Sequence, residues 1–449
     1  MTRVGVLGAG ISGLTAAYRL TQSDMAINVQ VLEAADRPGG VIRSDAVDDR
    51  LVEAGPNTLR PSPLLETLID DLNLEPERVW ANDDASRRYI VRDGTPVSLP
   101  ISVGDFLTTN LFSTTAKLRL LGEPFIGRGD ADDESLAAFA RRRLGPEVLN
   151  YAVAPFVGGV FAGDPEQLSA RHAFDKLVQL EKEHGSLFWG ALRSSGGDDE
   201  TPSGLYSFRD GAEALPGALV DALGDRIAYD TSVSAIRREE TRWTVETEHD
   251  TGTQTGAFDA LICTLPLHAL SSIDVDTGVD CAPLRDVEYP PVHVVALGYE
   301  RSAVAHPLDG FGMLVPPVED DFDILGTLFS STLFANRAPD GTALLTTFVG
   351  GARDPALARR EADAIQSVVE RDLAALLGIS GSPSFRHHVH WPRAIPQYTT
   401  GYGAVKDTID ALEAEHSGLH FAGNYRQGVS VGDAAASGAD AAARVQNTL

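Results

Sequence analysis

The chain runs to 449 residues with 43% hydrophobic content, enough for two or three domains, and holds no run of 18 apolar residues that would predict a membrane-spanning helix. Its formal net charge of −27 excludes nucleic acid as a partner, because phosphate contacts need basic patches. Two cysteines, Cys263 and Cys281, exclude a disulfide framework, and a first strand starting at Arg3 leaves no room for a signal peptide, so the expected setting is cytoplasmic and reducing.

Arg3 to Leu7 is a short apolar run that predicts a buried parallel strand, and Ile11 to Leu20 predicts the following helix, with Leu14, Ala17 and Tyr18 on one face. Between them lies Gly8-Ala9-Gly10-Ile11-Ser12-Gly13. Gly8 permits the tight turn, Gly10 lets backbone approach a pyrophosphate, and Gly13 lets the helix pack on the sheet. The helix N-terminus offers N–H groups and a positive dipole end to phosphates. The second strand, Asn28 to Leu32, ends in Glu33, whose carboxylate can accept hydrogen bonds from an adenosine ribose. These features together predict a bound dinucleotide.

Ala35 to Gly40 follows, its Gly39-Gly40 pair letting the chain cross close to a cofactor. Leu51 to Thr58 reads as a short strand opening into a Gly55-Pro56 turn, and Pro63 to Leu72 as a helix with Leu64, Leu65, Leu68 and Ile69 buried. Arg88 to Leu99 reads as a hairpin turning at Asp93-Gly94. From Ser102 to about Gly190 the pattern is helical, with segments at Ala116 to Leu121, Ser135 to Leu144 and Pro146 to Phe156, and Ser194 to Gly204 is a polar, Gly-rich loop. Strands are expected at Ile227 to Ile236, Arg242 to Glu248, Phe258 to Thr264, His293 to Tyr299, Leu344 to Phe348, His387 to Trp391 and Leu419 to Asn424. Helices are expected at Arg359 to Leu377 and, closing the chain, Gly432 to Val445.

The motifs Gly8 to Gly13, Glu33, Arg37-Pro-Gly-Gly40 and Phe421 to Asp433 resemble those of the flavin-dependent amine oxidase superfamily. Within it, Gly55-Pro-Asn-Thr58, Arg142 to Val148, Gly159-Val-Phe-Ala-Gly-Asp164, Ile395-Pro-Gln-Tyr398 and Gly423 to Asp433 resemble the oxygen-dependent, FAD-containing protoporphyrinogen oxidases, end to end. The resemblance implies an α/β fold, α+β in part. It consists of a Rossmann-type FAD-binding domain of the amine-oxidase and p-hydroxybenzoate-hydroxylase kind, a mixed-sheet substrate domain and an inserted helical domain. The expected division is 1–78, 205–288 and 415–449 for FAD, 79–100 and 289–414 for substrate, and 101–204 for the helical insert.

Carried over by position, the resemblance puts the FAD pyrophosphate on Gly8, Ala9, Gly10, Ile11, Ser12 and Gly13, with the ribose at Glu33 and Ala34. The isoalloxazine region falls near Gly40, Val41, Gly55, Pro56, Asn57 and Thr58; Val233 would meet the adenine through its backbone; Trp391, Val429, Ser430 and Val431 would lie near the flavin ring. A helix starting after Val431 would present its dipole to the ring's pyrimidine end, where reduction adds negative charge. The implied reaction removes six electrons from a porphyrinogen through three flavin reductions. Arg88 matches the position that meets a substrate propionate, against the plainer reading of a solvated hairpin arginine. Gly159 matches the glycine whose carbonyl faces the pyrrole N–H groups, against that of a turn glycine needed for its backbone angle.

No second Gly-x-Gly-x-x-Gly follows a strand and no Cys-x-x-Cys exists, so reoxidation falls to dioxygen or another diffusible acceptor. His387-His388-Val-His390 lacks a completing ligand set and reads as strand filler, so no metal is expected; Cys263 reads as a buried small hydrophobe and Asp130 to Glu134 as a solvated loop and helix start. Coproporphyrinogen III is the alternative substrate; another amine oxidase or desaturase, or a non-enzymatic escort of the same fold, are more distant readings. Weak peripheral membrane contact through Phe106 to Leu121 is compatible with the pattern, although the charge supplies no attraction to anionic lipid. The sequence does not specify an oligomeric state.

The four lysines, Lys117, Lys176, Lys182 and Lys406, stand against 64 acidic residues spread along the chain. That balance resembles proteins of high-salt cytoplasm, where a Debye length of about 3 Å at 1 M screens self-repulsion.

Overall fold

The computed structural model describes residues 2–129, 131–194, 204–239, 241–249, 252–275 and 279–448. Its first sheet is wholly parallel, in the order Leu419–Phe421, Ala260–Cys263, Thr2–Leu7, Ile27–Leu32, Ile227–Ala228. Parallel strands bury both faces and so read as continuous apolar runs. Val4, Val6, Leu7, Val31, Leu261, Ile262 and Cys263 are accordingly at or near zero exposure. Burial also pushes the Cys263 thiol up to about 12, as befits an inert core residue.

The helix Ile11–Thr21 is buried on nearly every side, not on one face as its periodicity suggests. The cause is the C-terminal helix Val431–Thr448, which lies against it: a Cβ on Gly438 would stand 2.0 Å from the Ser12 carbonyl oxygen, and Ser12 Oγ donates to the Ala434 carbonyl at 2.7 Å. Small residues (Ala434, Ala435, Ala441, Ala442) fill this contact at little entropic cost.

A four-stranded sheet follows, ordered Gly252–Phe258, Arg242–His249, Ser232–Glu239, Asp274–Val275. Two expected strands are divided here. Ile227 to Ile236 breaks at Asp230, whose φ of +50° turns Ile227–Ala228 into the parallel sheet and Ser232–Glu239 into this one. Phe258 to Thr264 breaks at Asp259, whose carboxylate accepts from the Arg3 backbone N–H at 2.7 Å and Arg242 Nε at 2.9 Å. The polar strand Gly252–Phe258 has no apolar alternation and was not legible.

The third sheet has seven strands, in the order Phe385–Trp391, Val292–Glu300, Thr342–Gly350, Ile324–Phe329, Gly312–Leu314, Arg88–Arg92, Thr95–Ser98. It is mixed because Gly312–Leu314 runs parallel to Arg88–Arg92 while the other neighbours are antiparallel. The hairpin turns at Asp93 and Gly94, with φ of +51° and +71°. The helix Ala362–Leu377, preceded by a separate short turn at Leu357–Arg359, covers one face with Ile365, Val369, Leu373 and Leu377.

Separate helices lie between Val103 and Ser194, and four of them start at serine caps, Ser102, Ser113, Ser135 and Ser169. Pro146 to Phe161 is one continuous helical path with a π-turn at Leu149–Val153. The Asp130 to Glu134 stretch is more than solvated loop. Asp133 accepts from Ser169 Oγ and from the Gly401 N–H, and Glu134 accepts from Arg142. Asp130 itself and the loop over 195–203 lie outside the described residues. No helix among the described residues is long and apolar enough to cross a membrane.

Candidate functional site

The three glycines of the N-terminal turn are required for three different reasons. Gly8 has a φ of +101°, and a Cβ there would lie 2.9 Å from Thr264 Oγ1. A Cβ on Gly13 would stand 2.0 Å from the Gly8 carbonyl oxygen, so the helix can start this close to the strand only without one. A Cβ on Gly10 would meet no protein atom within 4 Å, and Gly10 is extended (φ −72°, ψ 175°). The protein thus leaves free space at Gly10, in front of a helix start that no side chain caps. Ala9 N–H donates to Glu33 Oε2 at 2.6 Å and Ala35 N–H to Oε1 at 2.9 Å, pinning this carboxylate beside the turn with acceptor capacity to spare. Ala34, next to it, is exposed.

The Gly39-Gly40 crossing is joined to this turn. Gly39 N–H donates to the Ala9 carbonyl at 2.8 Å, and a Cβ on Gly40 (φ +59°) would approach Gly10 Cα to 3.3 Å. The Arg37 guanidinium donates to the Pro38, Gly40 and Ile42 carbonyls at 3.0, 2.6 and 3.4 Å and so fixes the loop from within. Val41 is 44% exposed, and its carbonyl would be 1.9 Å from a Cβ on Gly55. Asn57 Nδ2 closes the Gly55-Pro56-Asn57-Thr58 turn by donating to the Gly55 carbonyl at 2.9 Å. Trp391, at the end of its strand, donates its indole N–H to the Ala54 carbonyl at 2.7 Å. Gly40, Val41, Gly55 and Trp391 therefore form one wall beside the glycine turn.

Two further predicted segments arrive by backbone bonds. Thr231 N–H donates to the Glu33 carbonyl at 2.8 Å and Asp230 N–H to the Ala35 carbonyl at 3.1 Å, which brings the strand bearing Val233 alongside Glu33. At the far end of the chain Val429 is half-buried and Ser430 exposed, while the Val431 side chain is committed to the core with Ile11 and Leu65. Ser430 Oγ caps the helix by accepting from Asp433 N–H at 3.1 Å and donates to Asp433 Oδ2 at 2.6 Å. That acid in the first turn offsets part of the helix-dipole charge expected from the sequence.

Arg88 and Gly159 meet through the strand Gly312–Leu314. Arg88 pairs in register with Gly312 and lies over the Phe311 ring at 5.4 Å, exposed and with no carboxylate partner among the described residues. Its neighbour Arg87, by contrast, is paired with Asp309. Gly159 sits in the helix Ala154–Phe161, not in a turn, so backbone angle is not what requires glycine there. Its surroundings are close instead: a Cβ would stand 2.7 Å from Leu314 Cδ2, the movable end of a side chain. The helix ends in left-handed Ala162 (φ +47°), and neither the Ala162 nor the Gly163 N–H closes on the Gly159 carbonyl, which has no partner among the described residues.

A profile of the family "Flavin containing amine oxidoreductase" matches residues 11–446. The chain belongs to that family. It is 37% identical to protoporphyrinogen oxidase 2 of Arabidopsis thaliana over 98% of this chain and 93% of that one, and 33% identical to protoporphyrinogen oxidase of Bos taurus over 99% and 98%. A solved structure from Exiguobacterium shares the fold at a TM-score of 0.84, with 23% identity and 100% and 99% coverage. The chain is an FAD-dependent oxidoreductase, and its open cradle at Gly10, the uncapped helix start and the pinned Glu33 carboxylate fit that cofactor.

Sequence reasoning missed Thr264, whose Oγ1 donates to the Leu7 carbonyl at 2.8 Å and braces the glycine turn, because one threonine at a strand end carries no signal. It also missed His293. His388 Nε2 lies 2.8 Å from His293 Nδ1, whose Nε2 is bonded to the Ala358 carbonyl at 2.9 Å, and the His390 ring stacks on His293 at 4.2 Å. His293, His388 and His390 thus form a hydrogen-bonded, stacked set on the sheet face away from Trp391, while His387, on the other face, bonds Asp45 Oδ2 at 2.7 Å.

Proposed function

We propose that this chain oxidises protoporphyrinogen IX to protoporphyrin IX, with dioxygen as final acceptor. The observation that carries the proposal is the placement, on either side of the strand Gly312–Leu314, of a Gly159 carbonyl and an Arg88 guanidinium that have no hydrogen-bond or carboxylate partner among the described residues. That is a cation for a propionate on the sheet and a hydrogen-bond acceptor for pyrrole N–H groups on the helix packed against it. The names of the long, near-full-length relatives support the substrate class. Bound FAD supplies the two-electron acceptor. In balance, the substrate gives up six electrons and six protons, and three dioxygen molecules become three of hydrogen peroxide.

The residues divide the remaining work. Gly8 to Gly13 hold the pyrophosphate with backbone N–H groups, Glu33 and Ala34 the ribose, and the Val233 backbone the adenine. Gly40, Val41, Gly55, Pro56, Asn57, Thr58, Trp391, Val429, Ser430 and the backbone of Val431 surround the isoalloxazine. Arg88, with Phe311 behind its guanidinium, takes a propionate by charge-assisted hydrogen bonds. Gly159 fixes the macrocycle plane. The split into FAD domain (1–78, 205–288, 415–449), substrate domain (79–100, 289–414) and helical insert (101–204) rests on the sources of the parallel and seven-stranded sheets.

The proposed setting is a high-salt cytoplasm, supported by the acidic, lysine-poor composition. Peripheral contact with a lipid surface is supported by Val103, Leu107, Leu118, Leu121 and Phe125 of the helical insert, which are 59–90% exposed. The decisive test of the substrate compares kcat/KM of the yellow holoprotein for protoporphyrinogen IX and coproporphyrinogen III in high salt. At least a tenfold preference for protoporphyrinogen is expected; equality or the reverse order would hand the assignment to the tetrapropionate.

A further inference from the structure

Gln397 and Tyr398 are neighbours that reach in opposite directions. Gln397 is 3% exposed, and its Nε2 donates to the Phe161 carbonyl at 2.9 Å and the Ile395 carbonyl at 3.1 Å. Phe161 is the last residue of the helix that carries Gly159. The amide is seated tightly: its Oε1 would be 2.6 Å from a Cβ on Gly163. Tyr398 is 1% exposed, and its hydroxyl donates to the Asn424 carbonyl, in the loop that leads to Ser430 and the C-terminal helix. Its ring stacks on Tyr402 at 4.4 Å, and the Tyr402 hydroxyl donates to the next carbonyl of the same loop, Tyr425, at 2.8 Å.

We infer that Gln397 and Tyr398 form a strut that sets the distance between the substrate-holding end of the helix Ala154–Phe161 and the flavin-side loop Gly423–Ser430. They are positioning residues, acting through Gly159 on one side and Asn424 on the other, and the inference rests on the proposed role of Gly159. The carbonyl ledger of the helix end supports it. Gln397 takes the Phe161 carbonyl and the Ala352 N–H takes that of Ala162 at 2.7 Å, while the Gly159 carbonyl is left for substrate. Electron transfer from carbon to flavin is steeply sensitive to placement, a 1 Å error costing up to about 100-fold. A donor that fixes one helix end against the cofactor loop therefore acts on rate more than on affinity.

The test is anaerobic stopped-flow reduction of the FAD holoprotein by protoporphyrinogen IX in wild type, Gln397→Glu and Gln397→Met. Both variants keep the side-chain length and lose the amide donor. Each should reduce flavin about tenfold more slowly at saturating substrate, with FAD content and the rate of reoxidation by dioxygen unchanged. Acidification should restore Gln397→Glu, whose protonated carboxyl regains a donor for the Phe161 carbonyl, and should leave Gln397→Met slow. The strut is overturned if both variants match wild type, if the two respond alike to pH, or if FAD content and reoxidation fall in step with reduction. Failure of the wild type to be reduced would instead overturn the proposed function.

Discussion

Arg337 Nη2 donates to Glu53 Oε1 at 3.0 Å in an ion pair whose side chains are 2% and 3% exposed. The pair sits directly under the cofactor wall, one residue before Ala54, whose carbonyl holds Trp391. Ser44 Oγ, Ala212 N–H and Ser207 Oγ also donate to the carboxylate, at 2.6, 3.0 and 3.4 Å. Breaking such a pair leaves a buried charge unpaired, at a cost of about 3–5 kcal/mol, whereas neutralising both sides costs much less. Chemical unfolding should show Arg337→Met far less stable than the double variant Arg337→Met with Glu53→Gln. A single variant within about 1 kcal/mol of wild type would contradict the buried pairing.

The glycines separate folding from cofactor binding. Gly10→Ala places its methyl in free space, so apoprotein stability should change by no more than about 1 kcal/mol while FAD affinity falls about tenfold or more. Gly438→Ala pushes a methyl to 2.0 Å from the Ser12 carbonyl oxygen and should destabilise the apoprotein itself, by about 3 kcal/mol. Thermal unfolding and flavin absorbance of the two variants check this, and a Gly10→Ala protein that retains wild-type FAD affinity would refute the cradle.

Arg88→Ala should raise KM for protoporphyrinogen and leave FAD content intact. A lost charge-assisted hydrogen bond is worth about 1.5–3 kcal/mol, so kcat/KM should fall roughly 10- to 100-fold. Loss of FAD in this variant would mean that Arg88 serves the cofactor.

The histidine set gives a pH dependence with a definite sign. Burial, then the neighbouring His293, holds the His388 imidazole down at about 4, against an ordinary value of 6.5. The unfolded chain takes up its proton near pH 6.5 and the folded chain only near 4, so this group contributes stability that is complete above 6.5 and lost as pH falls to about 4. Since His388 is partly solvated, the loss should be about 1–3 kcal/mol. His388→Gln should flatten that part of the stability profile; profiles that run parallel from pH 7 to 4 would contradict it.

How much of this could be read in the sequence follows from how local each signal is. Gly8 to Gly13, Glu33 and the Asp93-Gly94 hairpin depend on backbone angles within a few residues, and they were legible. Trp391 and Val233 were assigned to the cofactor only by resemblance, since bonds to Ala54 and through Thr231 to Glu33 span long stretches of chain. Gly438 and Thr264 were invisible because their constraint is the backbone of residues 7–13, met only after folding. The divided strands at Asp230 and Asp259 failed for a related reason. Apolar runs continue through them, and only a left-handed φ or a carboxylate claimed by Arg3 shows where one sheet ends and another starts.

The central claim is that this chain passes electrons from a porphyrinogen to its own FAD. Anaerobic addition of protoporphyrinogen IX to the yellow holoprotein in high salt measures it directly. The flavin absorbance should bleach, with each substrate molecule able to reduce three FAD equivalents as the porphyrin Soret band appears. A flavin that stays oxidised under excess protoporphyrinogen and coproporphyrinogen alike, yet bleaches with dithionite, would contradict the account.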